Sequence, residues 1–212
     1  MGIFKRTTIF VTLFVSILGG FLIASQPASA LNGGDFNKAN IIDDNIFFNS
    51  NTMNSGDIQN FLNSKRPTCR SGYTCLKDYQ QSFGTVGANA YCGGITGGTK
   101  SAASIIYDVA RACGVNPQTL IVLLQKETSL ITDDWPEDWQ YRIATGYGCP
   151  DSASVCDAEY YGFFNQVYNA GKQFKRYVAQ PGTFNYAAGR NSFISYQANA
   201  PSCGGSNVTI QN

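Results

Sequence analysis

Three cysteine spacings limit what this chain can become: Cys69 to Cys75, Cys92 to Cys113 and Cys149 to Cys156. The first and last would each close a short local loop, which leaves Cys92 with Cys113 as the simplest third pair. Six cysteines allow fifteen pairings, so the spacing selects the simplest framework without proving it. No paired C-x-x-C zinc signature is present, so no structural zinc is expected. The seventh cysteine, Cys203, is left over nine residues before the last one. An odd thiol in an exported chain calls for a partner, and the favoured place for it is sequence beyond Asn212.

The chain start explains why disulfides are expected at all. Lys5 and Arg6 precede an apolar stretch from Ile9 to Ile23, and Ala28-Ser29-Ala30 forms an A-x-A cleavage site. That order is a secretory signal over residues 1–30, so the mature chain is expected to begin at Leu31. The apolar stretch is short for a bilayer span, which needs about 20 residues. No membrane association is expected after cleavage, and the oxidising exterior suits disulfides. Loss of Lys5 and Arg6 leaves thirteen basic side chains against fourteen acidic, a net charge of −1. Such a balance offers no electrostatic footprint for nucleic acid.

The chain contains no histidine. Ser-His-Asp and Cys-His nucleophile systems are therefore excluded, as are the usual histidine-bearing catalytic zinc sites. Carboxylate chemistry survives.

Residues 31–98 read as an N-terminal extension rich in Asn and Gly, with one helix over Gly56 to Asn63 capped by Ser55. Gly84 to Gly98 holds six glycines in fifteen residues and reads as a connector or a loop held by Cys92. Residues 99–212 then turn helical. Lys100 to Cys113 carries Ala103, Ile105, Ile106, Val109 and Ala110 on one side, with Gly114 as a stop. Asn116 caps a second helix, Pro117 suits its first turn, and periodicity carries it to about Ile131. A third helix is expected from Asp157 to Ala179, with Phe164, Tyr168, Gly171, Phe174 and Val178 inward. Pro181-Gly182 ends it, and an aromatic tail of short strands or loops follows. The class expected is mainly α, with α+β as the alternative.

The second helix holds the chemical candidate. At a 3.6-residue period Leu120, Leu124, Glu127 and Ile131 share one face, which would bury Glu127. Burial disfavours a charged carboxylate and raises its pKa. A carboxyl held protonated is what a glycosidase uses to protonate a leaving glycosidic oxygen. The plainer alternative is that Glu127 lies at the edge of the apolar stripe and pairs with an arginine such as Arg142.

The run Leu123-Leu124-Gln125-Lys126-Glu127-Thr128-Ser129-Leu130 resembles the catalytic-helix motif of the lysozyme-like superfamily, which includes lytic transglycosylases and related glucosaminidases. Nineteen residues after Glu127, Gly146 opens Gly146-Tyr147-Gly148, which falls where those enzymes carry a Gly-Leu-Met-Gln turn lining the cleft. Gly162-Phe163-Phe164-Asn165-Gln166 is the rival placement of that turn, and the two stay open. Phe184-Asn185-Tyr186-Ala187-Ala188-Gly189 resembles a later Ala-Tyr-Asn-Ala-Gly helix. The likeness covers roughly Lys100 to Asn191. It implies a two-lobed helical domain with a sugar-binding cleft, cleaving β-1,4 bonds of peptidoglycan or a related amino-sugar polymer outside the cell, at the wall. Glu127 would be the acid. Ser129, Trp135, Trp139, Tyr147, Gln166 and Tyr186 are the expected substrate contacts, and Asp134 or Asp151 the expected second carboxylate. No cofactor or metal is implied, and a monomer is expected. A non-catalytic wall-binding or adhesive module is the alternative.

Overall fold

A helix of almost uninterrupted burial runs through the centre of the molecule. It is α3 (Ala102–Cys113), and it buries Ala102, Ala103, Ile105, Ile106, Val109, Ala110 and Cys113. Ser101 starts it by accepting a hydrogen bond from the Ser104 backbone N–H at 3.2 Å, and left-handed Gly114 ends it. Each of its large apolar side chains contributes about 2 kcal/mol by leaving water. The computed structural model describes residue 34 and residues 36–150, 155–197 and 199–211. The expected signal segment, its cleavage site and Asp151 lie outside the described residues.

Around α3 stand α1 (Asp44–Phe47), α2 (Ser55–Lys65), α4 (Pro117–Thr128), α5 (Asp138–Arg142) and α6 (Phe163–Ala179). Gly171 on α6 lies against α3 so closely that a Cβ there would come within 3.0 Å of Val109 Cγ1. Two small antiparallel sheets complete the fold. β1 (Gln80–Phe83) pairs with β2 (Gly98–Ser101), and β3 (Asn191–Ser195) pairs with β4 (Gly205–Thr209). The architecture is mixed α+β. Among the described residues no helix is long and apolar enough to cross a membrane.

The three cysteine pairs are Cys69–Cys75, Cys92–Cys113 and Cys149–Cys156, and Cys203 is free and exposed.

The division expected at residue 98 is corrected by the packing. Ile58, Leu62, Leu76, Cys92 and Ile95 belong to the same apolar core as α3 and α6. β1 and β2 pair across the proposed boundary. Phe83 stacks on Phe164 with ring centres 3.7 Å apart, and Tyr79 stacks on Tyr141 at 3.9 Å. The glycine-rich stretch is no free connector: Val86 and Ile95 form a bridge across it, and Cys92 ties it to α3.

Helix limits also differ from the sequence pattern, starting with α2, which includes Ser55, runs to Lys65 and is capped by Asn54 in place of Ser55. The second helix stops at Thr128 because Ser129 turns left-handed, at φ 59°. Leu130 and Ile131 are buried all the same, so apolar periodicity outlasts the helix. The third helix begins at Phe163, with a separate short turn over Ala158–Tyr160 before it. Its buried face holds the expected Phe164, Tyr168 and Gly171 together with Phe163, Val167 and Ala170, while Phe174 is partly buried and Val178 is exposed.

Candidate functional site

The end of α4 is pinned by Thr128. Leu120, Leu124 and Thr128 recur every four residues and are all buried. The Thr128 hydroxyl donates to the Leu124 carbonyl at 3.2 Å and to the Ala144 carbonyl at 3.0 Å. Gln140 Nε2 donates to the Thr128 carbonyl at 2.8 Å and to Asp133 Oδ2 at 2.8 Å. Helix end, following turn and the segment after α5 are thus fastened together.

Glu127 lies one position off that buried face. Its side chain is 31% exposed, and its Oε1 accepts from Lys126 Nζ at 2.6 Å. The burial expected from periodicity is therefore corrected: Thr128, not Glu127, fills the inward position at the helix end. Arg142, the cation expected under the structural alternative, instead stands over the Tyr161 ring at 5.2 Å.

The other carboxylate oxygen of Glu127 faces the turn after α5. A Cβ on Gly146 would sit 3.4 Å from Glu127 Oε2. That turn, Thr145-Gly146-Tyr147-Gly148, is built around one side chain of α6. Gln166 has no exposed surface. Its Oε1 accepts from the Thr145 N–H, the Thr145 hydroxyl and the Tyr147 N–H, each at 3.1 Å. Its Nε2 donates to the Tyr147 carbonyl at 2.9 Å and to the Tyr160 carbonyl at 2.8 Å. Gln166 thus commits its amide to the turn from within the core, which corrects its expected role as a substrate contact. Gly148, at φ 72°, admits the Tyr160 ring where a Cβ would come within 2.4 Å of it. Tyr147 and Tyr160 meet edge to face at 4.8 Å.

Outside this turn runs a groove of about 710 Å³, lined in part by Gly146, Tyr147, Asp157, Tyr160, Gln173 and Tyr177. The Glu159 side chain is the main reason the Tyr160 phenol is pushed up to about 12. The phenol proton is thus engaged by the Glu159 carboxylate. Tyr177 also lines the neighbouring groove in which exposed Tyr186 lies. Tyr186 thus belongs to the continuation of the tyrosine groove, away from Glu127.

The residues after α4 form a second surface. Trp135 is 46% exposed and Trp139 is 44% exposed, so neither anchors in the core. Arg70 lies over the Trp135 ring at 3.7 Å, and Trp139 Nε1 donates to Glu137 Oε2 at 3.0 Å. Asp134 pairs with Arg66 at 2.6 Å and with Arg70 at 3.8 Å. Committed to two arginines, Asp134 is corrected from second carboxylate to structural anion. Beside this surface is a polar groove of about 570 Å³, lined in part by Tyr73, Tyr79, Glu137, Asp138 and Tyr141. Ser129, exposed just past Glu127, serves as the left-handed cap of α4. Among the described residues no group of three or more His, Cys, Asp or Glu side chains is arranged to hold a metal.

The arrangement therefore brings Glu127, Tyr147 and Gln166 together. It sets Trp135 and Trp139 on a separate surface and leads Tyr186 away. The sequence reading passed over Thr128 and Lys126, and it gave Gln166 the wrong task. The signal for Gln166 was legible: an amide among Phe163, Val167 and Ala170 must find polar partners if buried.

No curated protein and no solved structure matches the chain. The model of the family described as LasA, N-terminal domain, matches residues 40–202. That span is well over half of the chain and takes in the core, the Glu127 helix end and the tyrosine groove, so the chain belongs to the LasA N-terminal domain family.

Proposed function

We propose that this chain is an exported glycosidase on a lysozyme-like fold, cleaving β-1,4 bonds of peptidoglycan or a related amino-sugar polymer outside the cell. The observation that carries the reading is the Glu127 carboxylate facing Gly146, a residue that lines the tyrosine groove. Aromatic faces suit the apolar faces of sugar rings. A glycan laid over Gly146 would cover Glu127 and displace the exposed Lys126 ammonium. The substrate itself would then supply the dry surroundings a general acid needs.

In the reaction, the Glu127 carboxyl gives its proton to the glycosidic oxygen as the bond from that oxygen to the anomeric carbon breaks. The departing sugar leaves as an alcohol. Glu127, now a carboxylate, takes a proton from the attacking oxygen, which closes the cycle. If the attacker is the 6-hydroxyl of the same muramyl sugar, the product is a 1,6-anhydro ring. If it is water, the product is a reducing end, and Asp157, which lines the groove, would be the carboxylate that orients it.

The second reading is a wall-binding module, favoured by the Lys126–Glu127 pair at 2.6 Å, which occupies one carboxylate oxygen. Digestion of purified peptidoglycan, with mass spectrometry of what is released, separates these readings. Anhydro-muropeptides mean transglycosylation and reducing ends mean hydrolysis. A folded protein that sediments with the wall and releases nothing is a binding module, and the enzyme reading falls.

A further inference from the structure

We propose that Gln166 is the positioning residue of this site, setting the distance between Glu127 and the tyrosine groove through the turn it clamps. The inference rests on the glycosidase reading above.

The orientation of the carboxamide is forced by its neighbours. The backbone N–H groups of Thr145 and Tyr147 require an acceptor, and the carbonyls of Tyr147 and Tyr160 require a donor. Oε1 and Nε2 satisfy those four groups and the Thr145 hydroxyl together. The amide is saturated, so its influence on a substrate passes through what it holds. It holds both residues flanking Gly146, the residue that Glu127 abuts. It also holds the backbone of Tyr160, whose ring meets that of Tyr147. On the other side, the Thr128 hydroxyl ties the Glu127 helix end to Ala144. The acid and the groove are thus located relative to each other by these two side chains.

Replacing Gln166 by glutamate isolates the clamp at nearly constant volume. The acceptor oxygen is retained. The second oxygen, when ionised, meets two carbonyl oxygens and repels them. When the new carboxyl is protonated it regains one donor, and burial favours that neutral form. Gln166→Glu therefore makes the turn titratable: held at acid pH, released as pH rises. The titratable groups around the turn it holds are Tyr147 and Tyr160, whose rings meet, Glu159 beside Tyr160, Asp157 on the same groove, and Glu127, paired with Lys126, against Gly146. All are common to both proteins, so they cancel when the two pH profiles are compared.

The test is kcat and KM for peptidoglycan cleavage against pH, on the mature chain and on Gln166→Glu. Amide exchange at Thr145 and Tyr147 is followed in parallel. The variant should match wild type most closely at acid pH. At neutral pH it should lose on the order of 100-fold in kcat, the scale of an ångström misplacement. KM should change less, and both amides should lose protection over the same pH range. An unchanged profile, or a kcat loss equal at all pH values, overturns the inference while leaving the enzyme reading intact. An inactive wild type overturns both. If Gln166→Glu does not fold, Thr145→Val removes the hydroxyl whose single proton is shared between the Gln166 backbone carbonyl and the amide oxygen, while the four backbone bonds of the amide stay. A lowered kcat at unchanged melting temperature then supports positioning, and an unchanged kcat overturns it.

Discussion

Two turns follow the Glu127 helix, and they differ in how far surface charge helps to hold them. The Thr145–Gly148 turn is fastened from beneath by one fully buried amide with five hydrogen bonds. The Asp133–Glu137 turn has a buried amide of its own, Gln140, on Asp133 Oδ2 and the Glu137 N–H, but it adds surface ties: Asp134 between Arg66 and Arg70, and Arg70 over Trp135. A buried polar network leaves its members one arrangement, because each lost bond strands a partner away from water. Exposed ion pairs contribute little and tolerate rearrangement. Under the glycosidase proposal, the first turn would place the reacting bond beside Glu127, and the second would present tryptophan faces to a ligand.

The contrast is broken most severely by Gln166→Leu. It strands two N–H groups and two carbonyls, at a cost of about 3–4 kcal/mol. Urea denaturation measures it, and a loss below about 1 kcal/mol would mean that water replaces the amide.

Gly148→Ala comes next. It imposes an unfavourable φ of 72° and drives a methyl into the Tyr160 ring. A loss of about 2 kcal/mol is expected in the same assay, together with a changed tyrosine signal in near-ultraviolet circular dichroism.

The tryptophan side has a buried anchor of its own in Tyr141, which is 6% exposed and donates to the Thr74 carbonyl at 2.6 Å. Burial first, then neighbouring Tyr79 and the Asp133 and Asp78 carboxylates, raise its phenol pKa above the ordinary 10.0. A raised folded pKa gives stability that is complete below 10.0 and lost as pH climbs toward the folded value. Above 10.0, wild type should lose about 1.4 kcal/mol per pH unit from this group. Tyr141→Phe should be less stable at neutral pH and show a shallower alkaline decline. Equal slopes in the two proteins would remove Tyr141 as the cause.

Asp134→Asn should cost the least, under about 1 kcal/mol, because its pairs are partly exposed. Moderate salt should erase the difference from wild type. A larger, salt-resistant loss would place the second turn in the same class as the first.

Much of the helical frame was legible in the sequence. Asn116 and Pro117 mark the start of α4, and Gly114 marks the end of α3, because caps are local chemistry. What failed was phase. Leu130 and Ile131 are buried without being helical, so counting them as helix carried Glu127 onto a face it does not occupy. The expected boundary at residue 98 failed because glycine content signals irregular backbone, not absence of contact. Val86, Cys92 and Ile95 pack into the core from an irregular segment. Within the candidate site, Glu127 and Tyr147 were found from local motifs. The task of Gln166 was not, since its partners lie 19 and 21 residues back along the chain and on the turn beside it.

The central claim is that Glu127 breaks a glycosidic bond beside the clamped turn. The direct measurement is release of soluble fragments from purified peptidoglycan by the mature chain and by Glu127→Gln, with both melting temperatures recorded. The account predicts release by wild type alone, with the two proteins equally stable, since an exposed carboxylate paired with a lysine contributes little to folding. Equal release by both proteins would contradict it. So would release by neither, with a marked loss of stability in the variant, because Glu127 would then belong to the structure and not to the chemistry.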